Sequence, residues 1–138
     1  MREALERGTR YQRRAFAISC AELMIERLAA AGLGDGLQLR LLQKQTLEAM
    51  GTPRAAEVDD LLRWHETRAH EALLRLRLQA SAAPPYVPLS SWRHALTGLR
   101  ALLESDAYAA AARIAFQAVC ATRDVEAVVR LSQELCGE

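Results

Sequence analysis

Two long stretches of this sequence repeat their apolar residues at the spacing of a helix, and no stretch alternates in the manner of a strand. From Arg10 to Ala31, Ala15, Ile18, Ile25 and Leu28 fall on one face, and Ala17, Ala21 and Met24 widen it. A stripe that wide calls for packing partners on more than one side. In the second stretch, up to Ala80, residues advancing about 100° each bring Val58, Leu62, His65, Ala69, Ala72 and Leu76 onto one apolar face. That helix would be on the order of 40 Å long.

Local signals divide the rest. "GLGDG" (32–36) ends the first helix with three glycines and an aspartate in a turn. It lacks the preceding strand and the Lys-Ser/Thr pair of a phosphate loop. A helix over Leu37–Met50 follows, with Leu39, Leu42 and Leu47 among its apolar positions and Gly51 as its C-terminal cap. Thr52 and Pro53 then read as N-cap and first helical residue. "SAAPPYVPL" (81–89) reads as a connector, because its prolines remove donors and bias their predecessors toward extended backbone. Tyr86 and Val87 are expected to pin it to the body. Ser90 or Ser91 caps a helix from Trp92 to Leu103, Ser105 or Asp106 one to Ala121, and Thr122 one over Asp124–Leu135. The alanines of "AYAAAARIAF" (107–116) would let a neighbouring helix come close.

The fold expected is therefore all-α: about six helices, two long and four shorter, bundle-like or orthogonally packed. They form a single domain over 1–138, with sub-halves 1–80 and 90–138 joined by the proline-rich connector. A chain of 138 residues, 51% hydrophobic and 25% charged, is long and apolar enough to bury its own core. The net charge of +1 supplies no global field to draw in nucleic acid or a membrane. Seventeen of its eighteen basic residues are arginine, Lys44 being the exception, as a GC-rich genome would encode. Three cysteines, Cys20, Cys120 and Cys136, have neither disulfide-framework nor zinc-motif spacing. The early arginines lead into an apolar stretch broken by Glu22, Glu26 and Arg27, which fits neither a signal peptide nor a membrane span. A reducing cytoplasm is the expected compartment.

The densest concentration of reactive side chains is "RWHETRAH" (63–70). Helical geometry splits it. His65 sits within the apolar face, where a packed side chain is expected. Arg63, His70 and Arg77 share a more polar face with Glu66 and Thr67 beside it, read as a solvated surface. Glu66 and His70 have i,i+4 spacing, that of a surface pair. His65 and His70 lie about 140° apart on the helix and cannot hold one metal together. Arg63 and His70 resemble the Arg-x(4–6)-His motif of HEPN-type RNases. That likeness implies an arginine binding phosphate and a histidine assisting attack by the 2′-OH. It rests on two residues, and Trp64 occupies the place of the polar residue usual after the arginine. A carboxylate-bridged metal bundle would need Glu-x-x-His pairs on separate helices; Glu66 and His70 are one residue too far apart, and no second pair accompanies Glu22 and Glu26. No cofactor, metal or catalytic residue is predicted.

A second cluster is basic. Positions 1–14 carry five arginines against Glu3 and Glu6, a local excess of +3. Arg7, Arg10, Arg13 and Arg14, with Tyr11 among them, form a candidate contact for phosphate or an acidic protein. Long amphipathic helices without a catalytic constellation suit a non-enzymatic protein-protein interaction module: an adaptor, an inhibitor or immunity-type protein, or an assembly subunit. The apolar stripes exceed what a small monomer covers, so self-association as a homodimer is expected. The alternative is a helical nucleic-acid-associated subunit using the N-terminal arginines, with an RNase variant using Arg63 and His70. No membrane association is expected.

Overall fold

A computed structural model describes residues 1–31, 36–78 and 86–137, with backbone alone for 76–78 and 86–89. Within these residues lie seven helices and no strand: α1 (Arg2–Arg7), α2 (Arg10–Ala30), α3 (Gly36–Ala49), α4 (Ala55–Leu78), α5 (Tyr86–Ala101), α6 (Ala107–Thr122) and α7 (Val125–Cys136). The fold is all-α, with two long helices of 21 and 24 residues, α2 and α4. The count exceeds the expected six because residues 2–7 form a helix of their own.

The cause is a capping box. Thr9 Oγ1 accepts from the Gln12 N–H at 3.1 Å, and Gln12 Oε1 accepts from the Thr9 N–H at 2.8 Å. These bonds satisfy two donors that a helix start leaves open, and so they fix the start of α2. Gly8, just before, is extended; a Cβ there would sit 3.0 Å from Cβ of Cys136, so the glycine lets the end of α7 close on the chain.

Other boundaries follow local chemistry. Gly51 takes φ +70°, the left-handed cap that its sequence position suggested. Thr52 Oγ1 accepts from the Arg54 N–H at 3.3 Å, although the regular helix begins only at Ala55. The helix expected from Trp92 begins instead at Tyr86, inside the proline-rich stretch. Pro88 is its third residue, where the backbone N–H would have no intrahelical acceptor, so a proline is tolerated. Asp106 caps α6, accepting from Tyr108 and Ala109. The cap of α7 is Asp124 rather than Thr122: Asp124 Oδ1 accepts from the Ala127 N–H at 3.0 Å, while Thr122 Oγ1 donates back to the Ala118 carbonyl at 2.7 Å. The expected turn at 32–35, the connector residues 81–85 and the side chains of Tyr86 and Val87 lie outside the described residues.

One hydrophobic cluster draws on all seven helices. α2 packs most extensively on α6, and α5 packs against α6 and α4. Consequently the two sub-halves share a core: its main interface joins a helix from each. Alanines make this possible. Ala110, Ala111, Ala115 and Ala118 of α6 are fully buried or nearly so, and lack side chains that would hold α2 away. The buried face of α2 runs through Phe16, Ala17, Cys20, Ala21, Met24, Ile25 and Leu28. Ala15 and Ile18, leading positions of the predicted stripe, are only half-buried. Packing against α6 and α7 together turns the face toward the Ala17–Ala21–Met24 row. Among the described residues, no helix is long and apolar enough to cross a membrane.

Candidate polar seam and groove on helices α4 to α6

Asp59, Arg63, Glu66 and His70 recur along α4 at steps of four, three and four, which places them in one row. Arg93, Thr97 and Arg100 form a matching row on α5. The rows interlock. Arg100 Nε donates to Asp59 Oδ1 at 3.0 Å, and its Nη1 donates to Glu66 Oε2 at 2.8 Å. Thr97 Oγ1 donates to Glu66 Oε1 at 2.8 Å, and Arg63 Nε meets Asp59 Oδ2 at 3.0 Å. At the far end, Arg93 Nη1 lies 3.4 Å from His70 Nδ1.

Of the face expected to be solvated, Arg63, Thr67 and His70 are exposed, while Glu66 is drawn into a polar seam with α5. Glu66 does not take up its i,i+4 partner His70, because Arg100 offers a charge-assisted bond and Thr97 a second donor. The side chain of Arg77, the fourth residue of the predicted face, lies outside the described residues. Arg63 and His70, the pair with the RNase-like spacing, share the row but have separate partners: a carboxylate for the first, a cationic neighbour for the second.

His65 lies on the other edge of the apolar face, half-buried, with its ring edge-on to Trp64 at 4.8 Å. Trp64 is exposed and stacked beneath the Arg68 guanidinium at 4.7 Å. Burial, and secondarily the Arg68 charge, hold the His65 pKa below the ordinary 6.5. The unfolded chain therefore takes up a proton that the folded one resists. Stability from this group is full above pH 6.5 and is lost as pH falls from there through the lower folded value. Urea midpoints measured between about pH 7.5 and 5.5 should fall with pH in the wild type and flatten in His65→Leu. An unchanged slope in the variant would assign the effect elsewhere.

Beside the seam, α4, α5 and α6 enclose an open groove of about 800 Å³. Asp59 and Arg63 line it from α4, Thr97 and Arg100 from α5, Glu104 from the turn after α5, and Arg113 and Phe116 from α6, with Ala101 and Ala112 between them. Arg113 pairs with Glu104. His94 Nδ1 lies 2.7 Å from Gln117 Oε1, tying α5 to α6 at the groove's edge.

The N-terminal arginines do not form one basic face. Arg13 donates to the Leu5 carbonyl at 2.7 Å and to the Glu6 carbonyl at 3.0 Å, closing the end of α1, and lies over the Tyr108 ring. Arg14 donates to the carbonyls of Leu102 at 3.3 Å and of Glu104 and Ser105 at 2.7 Å each. Arg13 is spent on carbonyls at the end of α1 and Arg14 on carbonyls of the turn after α5, whereas Arg7 and Arg10 are exposed. Glu22 faces Arg40 and the buried Gln43 at 2.6 Å each, not Glu66 or His70. These bonds hold its carboxyl below the usual carboxylate range. Among the described residues, no three His, Cys, Asp or Glu side chains converge as metal ligands would.

Sequence reasoning singled out Arg63, Glu66 and His70 but missed their partners and the groove. The four-three spacing of Arg93, Thr97 and Arg100 was a readable polar row on α5. Nothing in the sequence marked Arg113 or Phe116. No family model matches the chain, and no curated protein and no solved structure matches it significantly.

Proposed function

We propose that this chain is a non-enzymatic interaction module that binds protein and associates with itself as a homodimer. The observation that carries this reading is the set of exposed large apolar side chains on the consecutive helices α3 and α4. Leu37 and Leu41 of α3 are 83% and 56% exposed, and Leu61 and Trp64 of α4 are 37% and 54% exposed. On α3 they lie opposite the buried Leu39, Leu42 and Thr46. On α4, Leu61 and Trp64 each stand two positions from Asp59 and Glu66, about 200° round the helix, and so face away from α5. Exposed large apolar side chains are a common basis of protein association. Trp64, held by Arg68 and His65, is the natural anchor. A reducing cytoplasm suits the thiols: burial, aided by the nearby Cys136, pushes the Cys20 thiol up to about 12, and burial also raises Cys136.

Sedimentation equilibrium tests the reading. The wild type is expected to reach dimer mass at concentrations of order 100 μM, with little dependence on salt. The double variant Leu37→Asp, Trp64→Asp is expected to stay monomeric and folded. A wild type that is monomeric throughout would reject self-association. Polyanion binding that weakens steeply with salt and requires Arg7 and Arg10 would support the nucleic-acid alternative instead. RNA cleavage lost in His70→Ala would support its RNase variant.

A further inference from the structure

We infer that the groove between α4, α5 and α6 is a docking site for an acidic amphipathic helix of a partner protein. This rests on the reading of the chain as a protein-binding module, and assigns a surface separate from the α3–α4 face. The argument is one of charge and shape. Arg63 stands on the α4 wall and Arg113 on the α6 wall, and their side chains are 61% and 64% exposed. The carboxylates they touch, Asp59 and Glu104, are recessed at 27% and 33%. Arg100 is also recessed, and its charge is met from below by Glu66. Each wall therefore presents a guanidinium to solvent over a carboxylate beneath it. Arg63 is bound through Nε and Arg113 through Nη1, so each has further N–H donors to offer.

Between the walls Thr97 and Arg100 of α5 are polar, and Ala101, Leu103 and Ala112 supply the small and apolar surface. Ala101 and Ala112 admit close approach of a backbone, and Phe116, exposed on the α6 side, supplies an aromatic surface for an incoming side chain. An apolar stripe flanked on both sides by Asp or Glu matches this pattern: the stripe meets Phe116 and the alanines, and the flanks meet the two arginines. A basic helix would meet like charge on both walls.

A display library of amphipathic helices, about sixteen residues long with an apolar stripe and randomised flanks, tests this against the full chain. Enriched helices are expected to carry Asp or Glu on both flanks. A fluorescein-labelled winner is expected to lose about tenfold or more in affinity with Arg63→Glu, with Arg113→Glu and with Phe116→Asp, and to bind Arg130→Glu like the wild type. Arg63→Gln and Arg113→Gln, which add no like charge beside Asp59 or Glu104, should weaken binding in the same direction; circular dichroism establishes that each variant is folded. Neutral or basic winners, or winners indifferent to both arginines, overturn the inference. Winners that need Trp64 and ignore Arg63 overturn it while leaving the interaction module in place. A library that yields no binder counts against both. Displacement of the labelled helix by unlabelled copies of this chain at comparable concentration would make the occupant a second copy, and displacement by single-stranded DNA would make it a polyanion. Either result rejects a partner helix.

Discussion

Replacing Phe16 with alanine is expected to lower stability by about 3–5 kcal/mol, at the upper end for a core truncation. Phe16 is fully buried on α2, and the cost of removing such a ring depends on whether its surroundings can collapse into the space. α6, which packs most extensively on α2, buries mainly alanines beside Ile114, and alanine has no side-chain torsion with which to refill a void. A domain's whole stability is about 5–15 kcal/mol, so the variant should melt about 10–15 °C lower. Phe16→Leu, which retains most of the volume, should cost less than half as much. Urea unfolding followed by circular dichroism checks both. A loss under about 1 kcal/mol in Phe16→Ala would mean that α2 does not seat on α6 in this way.

Arg14→Ala is expected to cost about 2–3 kcal/mol, with Arg14→Lys recovering only part of it. The Arg14 side chain reaches the carbonyls of Leu102, Glu104 and Ser105, at and beyond the end of α5, from α2. These carbonyls belong to the turn between α5 and α6, where no helical ladder supplies donors, so the guanidinium satisfies three acceptors at once. A planar fork serves several separated acceptors at once, which an ammonium cannot match in one geometry. Burial, and then the nearby Arg10 charge, depress the Arg14 pKa, consistent with a half-buried guanidinium. The exposed Arg2–Glu6 pair provides the contrast: Arg2→Ala should leave the urea midpoint close to that of the wild type. If Arg14→Ala left stability intact but removed polyanion binding, the arginine would belong to a nucleic-acid face after all.

The two arginine-rich regions show where sequence reading stops. Arg63, Glu66 and His70 were correctly placed in one row by helical geometry, because spacing along a helix is a local property. Arg63 and His70 stay exposed, as a polar row reads, but Glu66 turns to partners on another helix that no local pattern announces. Arg93, Thr97 and Arg100 lie some thirty positions downstream of that row, and only the packing of α5 on α4 brings the two together. Arg13 and Arg14 were read as free charge for the same reason. Their acceptors are backbone carbonyls, which carry no signature in the side-chain sequence. The α1–α2 break, by contrast, was legible in Thr9-x-x-Gln12 and was obscured by the apolar stripe that follows it.

What the sequence determined by itself was the periodic order: helices throughout, two of them long, with local boundary signals such as Gly51 after α3 and Asp106 before α6. These follow from backbone bonding and capping within a few residues. What only the tertiary structure decided was the company each face keeps. The alanine face of α6 draws α2 across from the other sub-half, α5 turns the polar row of α4 into a seam, and the outer edges of α4 and α6 are left as two walls of a groove. Those outcomes depend on which surfaces meet, and contacts between residues far apart in the chain are set by the mutual fit of whole helices rather than by any local run of residues.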